Sequence, residues 1–244
     1  MMVPTEVTRL EELSEEILDW IFKKNPSIAT FVGINGYDDE LEDKNIEKIQ
    51  EELDQAKDYQ IKLGFISKDF LPLDKQIDFQ LLDSMLQDIA RDIEKIRTYE
   101  QDPGLYLNLA IESVYLLIIR DYRPFDDRMR SILSRMKQIP RLFEAAKEQI
   151  HNPPQVFIKT AKLNLTGAKT FFGQVIPQTA EHVPELKKEI LAEAENIGDV
   201  LTDFEDFLTD LEETATGNYA VGKEIFDELL QEHHFLSHDA ESLM

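Results

Sequence analysis

The chain has 244 residues, no cysteine, 42% hydrophobic and 31% charged residues, and a formal net charge of −23 at pH 7. This composition belongs to a folded globular protein, leaves no thiol for a disulfide or a thiolate-bound metal, and removes the basic surface that binding a phosphate backbone requires, so nucleic acid is excluded as a partner. The first residues lack a basic stretch followed by an apolar run, and the most apolar segment, Tyr115 to Ile119, is far too short to cross a bilayer. The expected setting is cytoplasmic, with no membrane partner.

Helical spacing begins at once. Leu10, Leu13, Ile17 and Ile21 recur every three to four residues, with Trp20 beside them, until Asn25-Pro26 ends the run. Ile46, Ile49 and Leu53 start a second helix, which the glycine of Leu63-Gly64 closes. Ile77, Leu81, Met85, Ile89, Ile93 and Ile96 form the clearest stripe, bounded by Pro72 and Asp102-Pro103-Gly104. Leu105 to Ile119 is apolar on nearly all sides and is expected to be the central buried helix. Pro124 suits a helix start, with Asp126 and Asp127 at its positive end and Met129, Ile132, Leu133 and Met136 inside.

Pro140 opens a shorter helix that closes at His151-Asn152-Pro153-Pro154, and Val156 to Val175 continues in helix. Pro184 starts a long acidic helix through Ile190, Ile197, Leu201, Phe204, Leu208 and Leu211. Gly217-Asn218 breaks the pattern and Gly222 to Phe235 resumes it. Ser237 to Met244 reads as the start of one more helix, near Asp239, which is too short to stand alone. No alternating run argues for a sheet. The expectation is an all-α array of about nine to ten helices in a single helical domain over residues 1–244.

Charge is unevenly spread. Arg120, Arg123, Arg128, Arg130, Arg135, Lys137, Arg141, Lys147, Lys159, Lys162 and Lys169 make the middle basic, whereas Glu181 to Glu241 is dense in acid. Either the basic middle packs against the acidic end, or it faces an anionic ligand.

Known reaction centres leave little trace. His234 and His238 are four apart, but Phe235 stands where a zinc-peptidase helix carries its glutamate base. Glu148-Gln149-Ile150-His151 matches half of a di-iron motif that has no second copy here. There is no nucleophile elbow and no phosphate-cradling glycine loop. No catalytic residue and no metal ligand is assigned.

Two segments still stand out. Gly33 to Leu41 is a polar, glycine-bearing loop with an aromatic residue, suited either to reaching a cleft or to capping the next helix. Arg120-Asp121-Tyr122-Arg123-Pro124 concentrates hydrogen-bonding groups at the end of the apolar helix. It could hold a substrate carboxylate or satisfy helix ends through an internal ion pair. Tyr37, Asp38, Arg120 and Arg123 are the candidate cleft residues. Thr166-Gly167-Ala168 and Phe171-Phe172-Gly173 read as close helix packing around small residues.

The order of several pieces carries a resemblance. Pro26-Ser27-Ile28-Ala29-Thr30 with Gly33 and Tyr37-Asp38 comes first. Asp78 with Leu81-Leu82, Asp102-Pro103 and Tyr106 follow, then Arg135 with Ile139-Pro140 and Leu142, Gly167 with Phe171-Phe172, and Gly222 before Phe226. In this order they resemble the amino-terminal half of the prokaryotic domain-of-unknown-function family numbered 885. The resemblance implies a two-part protein about twice this length, similar to helical, carboxypeptidase-like zinc peptidases, in which metal-activated water attacks a peptide carbonyl. The metal motif would lie in the other half.

On that reading the chain is a non-catalytic segment that walls or covers a substrate cleft and holds no cofactor itself, with zinc expected only alongside the carboxyl-terminal half. Its partner is that half or a separate catalytic chain, and homo-oligomerisation stays open. The alternative is a self-sufficient acidic helical protein-interaction module.

Overall fold

The computed structural model describes residues 5–243. In chain order the helices are α1 (Glu6–Lys24), α2 (Pro26–Val32), α3 (Ile46–Gly64), α4 (Leu73–Arg91), α5 (Thr98–Gln101) and α6 (Pro103–Ile119). They continue with α7 (Phe125–Met136), α8 (Ile139–Gln149), α9 (Gln155–Thr170), α10 (Ile176–Ala180), α11 (Pro184–Thr214) and α12 (Lys223–Glu228). Single wide π-turns extend α4, α9 and α12, over Asp92–Ile96, Phe171–Val175 and Leu229–His233. Among the described residues there is no strand, only an isolated bridge between Pro154 and Gly217. The fold is all-α.

These residues form two compact units. The first comprises residues 5–21, 47–97 and 220–243; the second comprises Phe22–Ile46 and Thr98–Tyr219.

In the first unit Leu10, Ile17 and Ile21 of α1 meet Ala56, Tyr59 and Leu63 of α3 and Leu82 and Leu86 of α4. Trp20 tilts against Tyr59 with ring centres 5.2 Å apart. Of the expected α4 stripe only Ile89 packs against this core. Leu82, Leu86 and Ala90 go inside, while Ile77, Leu81 and Met85 remain 49%, 49% and 39% exposed. The helix carries apolar residues on two faces, Phe79, Leu82 and Leu86 as well as the longer stripe, and the core takes the former. The last helix ends early: the π-turn stops at His233 and Phe235 adopts a left-handed φ of 53°. The start expected near Asp239 is one turn, closed by Ser242 N–H on Asp239 Oδ1 at 2.8 Å. Met244 lies outside the described residues.

In the second unit α6 is the central helix, as its composition suggests. Tyr106, Leu107, Ala110, Val114 and Leu117 are fully buried among α7, α8 and α9. α11 spans 31 residues, about 46 Å at 1.5 Å per residue. It lays Ile190, Ile197, Leu201, Phe204 and Leu208 along the same core. Phe204 meets Phe143 edge-on, ring centres 4.7 Å apart. The basic middle of the sequence pairs with the acid of α11: Lys162 with Glu212 at 2.7 Å, Lys169 with Glu205 at 2.5 Å, Lys137 with Glu189 at 3.2 Å, and Lys147 with Asp203.

Ala168 and Phe172 are buried as expected, but a Cβ on Gly167 or Gly173 would meet open space, so those glycines do not mark a close approach. Gly217 does. A Cβ there would fall 2.2 Å from the Asn152 carbonyl oxygen.

Candidate functional site

Helix α2 is short, and charged side chains satisfy both of its ends. At its amino terminus Glu42, 2% exposed, accepts from Ser27 N–H and Ser27 Oγ, both at 2.9 Å. At its carboxyl terminus Gly33 turns left-handed at φ 90° and Arg120 donates to the Thr30 carbonyl at 2.9 Å. Carboxylate at the positive end and guanidinium at the negative end match the helix dipole.

The loop that follows α2 is tied down by Arg135 of α7, which is fully buried. Its guanidinium donates to the carbonyls of Ser113 at 2.6 Å, Glu40 at 2.8 Å, Pro26 at 3.2 Å and Tyr37 at 3.3 Å, and to Thr30 Oγ1 at 2.7 Å. Burial draws its proton affinity down, and Glu42 and Asp38 oppose that. Thr30 in turn donates to Asp38 Oδ1 at 2.8 Å.

Asp38 is 3% exposed, and its Oδ2 lies 3.2 Å from Arg123 Nη2. That pair has ionic distance without hydrogen-bond alignment, and Oδ2 accepts no aligned hydrogen bond. The properly aligned donation from Arg123 goes to Ser131 Oγ at 2.9 Å, and the Ser131 hydroxyl donates to Asp39 Oδ1 at 2.5 Å. Burial, and then Asp38, push the Tyr122 phenol up to about 12. Arg128, also buried, closes the end of α6 through the carbonyls of Leu117 at 3.0 Å and Ile118 at 2.9 Å.

The structure therefore gathers the four candidates. Asp38, Arg120 and Arg123 make contacts within this unit, and half-buried Tyr37 lends its carbonyl to Arg135. Sequence reasoning missed Arg135 and Glu42 as the organising charges. A signal for Arg135 existed: it occupies the inner face of α7 beside Ile132 and Met136, where the pattern calls for an apolar residue.

Beside this network α2 and α6 enclose an apolar groove of about 600 Å³. Ile28, Phe31, Tyr115 and Ile119 line it and are 48%, 64%, 47% and 53% exposed, and Leu109 and Leu116 also line it. Its polar margin is Asn25, Ser27, Glu42 and Glu112; none of the four candidates is among the lining residues.

Among the described residues no three histidine, aspartate or glutamate side chains converge as metal ligands. His233 pairs with Asp88 instead. His151 lies in the loop after α8, at a separate polar pocket of about 320 Å³ with Glu100, Gln149 and Asn152. No single described helix is long and apolar enough to cross a membrane.

An all-helical scaffold with an arginine-tied loop beside an open apolar groove is thus the class of protein in hand. The chain belongs to the family described as "Bacterial protein of unknown function (DUF885)", whose model matches residues 26–244. Its fold is similar to a solved structure described as that of "a putative lipoprotein of unknown function from Shewanella oneidensis". The TM-score is 0.87 at 22% sequence identity, covering 99% of this chain and 44% of that one. This chain spans less than half the length of that relative, and at such identity the likeness establishes the fold. No curated protein matches the chain.

Proposed function

We propose that this chain is the non-catalytic amino-terminal segment of a longer zinc-peptidase-like protein and forms a wall of its substrate cleft. The α2–α6 groove carries the reading. It is open and apolar, of a size that takes one or two side chains of a peptide. Its α2 wall is held by the network of Arg135, Glu42 and Arg120. A wall that keeps its shape before substrate arrives loses less free energy on binding. The longer matching fold agrees with a second part, and on this reading that part would supply the metal. Tyr37, Asp38, Arg120 and Arg123 act in this reading by fixing the wall, and no chemical step is assigned to this chain.

Reconstitution tests it. The chain is combined with the carboxyl-terminal part of a longer family member and assayed for stoichiometric zinc and for hydrolysis of peptides graded in apolar side chains. Activity is expected only in the joint sample. Phe31→Ala should lower kcat/KM about tenfold for peptides with a large apolar side chain, as expected for one lost apolar contact, and leave small ones unchanged. Zinc-free, inactive joint samples would sink the proposal and favour a self-sufficient interaction module.

A further inference from the structure

Helix α4 carries a single seam in two halves. Ile77, Leu81, Ser84, Asp88, Arg91 and Lys95 follow one another at steps of three and four, so they lie along one ridge. The carboxyl-terminal half is covered by α12 and its π-turn. Ser84 Oγ donates to the Glu232 carbonyl at 2.8 Å, and Asp88 pairs with His233. Arg91, 4% exposed, pairs with Glu228 at 3.3 Å and with Glu232, and Lys95 pairs with Glu228 at 2.6 Å. From Lys95 with Glu228, through Arg91 with Glu228 and Glu232, to Asp88 with His233, partner numbers rise as α4 numbers fall, so the covering segment runs antiparallel to α4. It leaves the seam at Phe235, where the backbone turns left-handed.

The other half is bare. Leu73, Ile77, Leu81 and Met85, each four residues from the next, are 74%, 49%, 49% and 39% exposed, with Phe70 at 80% just before them. We infer that this bare half seats a second antiparallel helix, stacked in line with α12, apolar every third to fourth residue and edged with lysine or arginine. Three observations select that occupant. The seam is already used as a helix–helix interface farther along. The bare half is bordered by Asp74 and Asp78, with Lys75 the nearby cation on α4, itself drawn to Glu11 at 3.2 Å and Asp78 at 3.3 Å. A second copy would bring the same acid edge and a net charge of −23, so a basic helix fits better. The chain also matches only 44% of the length of its structural relative, and we place the helix in the remainder of the longer protein. In that respect the inference rests on the reading of the chain as one part of two.

The probe is a synthetic amphipathic peptide with leucine at three- and four-residue spacing and lysine on the flanking positions. A scrambled peptide of identical composition is the control. Binding to the full chain and to its Ile77→Gln/Leu81→Gln variant is measured by fluorescence anisotropy. Both substituted side chains are half exposed and helix-compatible, so far-UV circular dichroism and Tm should not change; Leu81→Gln alone serves if the double variant misfolds. The patterned peptide should bind about tenfold tighter than the scrambled one, and the double variant should lose about that factor, as expected for one or two apolar contacts.

Equal affinity for both peptides would mean charge attraction alone and overturn the inference, as would no binding or undiminished binding to the variant. A dimer of the chain abolished by the variant would give the seam to a second copy instead. Failure here leaves an active reconstituted zinc peptidase untouched, whereas a bound peptide with no such activity would refute only the peptidase reading.

Discussion

Replacing Arg135 by methionine is the sharpest perturbation the second unit offers. The substitution keeps length and helix propensity but deletes five donated hydrogen bonds, the shortest of them 2.6 Å to Ser113 and 2.7 Å to Thr30 Oγ1. Not all five acceptors are orphaned. The Tyr37 carbonyl also accepts from Glu40 N–H at 3.1 Å, and the Pro26 carbonyl lies 3.1 Å from Thr30 Oγ1. What is lost outright is the partner of the Glu40 carbonyl and the buried cation facing Asp38 and Glu42, both almost fully buried.

An unpaired buried carbonyl costs about 1–3 kcal/mol, and a lost hydrogen bond from a charged group about 1.5–3 kcal/mol; the two overlap, so about 4 kcal/mol is expected for the set. At roughly 2 kcal/mol per molar urea, the unfolding midpoint of this unit should fall by about 2 M. Urea titration followed by circular dichroism measures the shift, and limited trypsin digestion should open the chain at Lys44 before the core unfolds. Lysine at 135 restores charge but not the planar fork and should recover only part. A methionine variant within about 1 kcal/mol of the parent, or full rescue by lysine, would refute the claim that this guanidinium organises the loop.

Other outcomes follow from the same geometry. Glu228 is held below the usual carboxylate range by hydrogen bonds to Lys95 and then Arg91. It therefore stabilises the folded state above its unfolded value of about 4.3, and that contribution is lost as pH falls through the lower folded value. Hydrogen exchange should show α12 loosening from α4 in that acid window, earlier in a Glu228→Gln variant. Tyr122 should ionise near pH 12 by ultraviolet titration. Its phenol is raised, so stability present below the unfolded value of about 10 is lost as pH climbs from there towards about 12. Gly217→Ala forces a Cβ to 2.2 Å from the Asn152 oxygen and should lower Tm by several degrees, roughly 2 kcal/mol of stability. Lys169→Ala removes a partly exposed pair with Glu205 and should leave the urea midpoint within error.

The fold was legible because spacing and punctuation agreed. Leu10, Ile17 and Ile21 are buried as their period predicts, and Pro26, Pro103 and Pro184 each occupy the first position of a helix. The α4 stripe misled because periodicity reports an apolar face without saying what covers it. A helix with two such faces buries whichever one its neighbours reach. His234 and His238 are set aside as ligands for want of a glutamate base, and the left-handed turn at Phe235 falls between them. The site was legible in composition only. Asp38 and Arg123, distant in sequence, do pair, and Arg120 and the Tyr37 carbonyl bond to the same α2 segment and its loop, but their organiser, Arg135, is marked only by its place on the inner face of α7.

That convergence bears on how a helical wall is made specific. Arg120, Arg123, Arg128 and Arg135 all approach the ends of α2 and α6 or the loop between α2 and α3, where carbonyls lack helical partners. Arg128 and Arg135 spend their donors on carbonyls and have few left for a substrate carboxylate, and Arg120 donates to the Thr30 carbonyl, so recognition on the proposed reading passes to the apolar groove beside them. Selectivity should then depend on the size of a peptide's apolar side chain rather than on its charge. Arg120→Lys makes the distinction. It loosens the end of α2 at Thr30 and should broaden the preference among apolar side chains, with no special loss for substrates that carry a carboxylate. A selective loss for acidic peptides would return Arg120 to direct substrate contact.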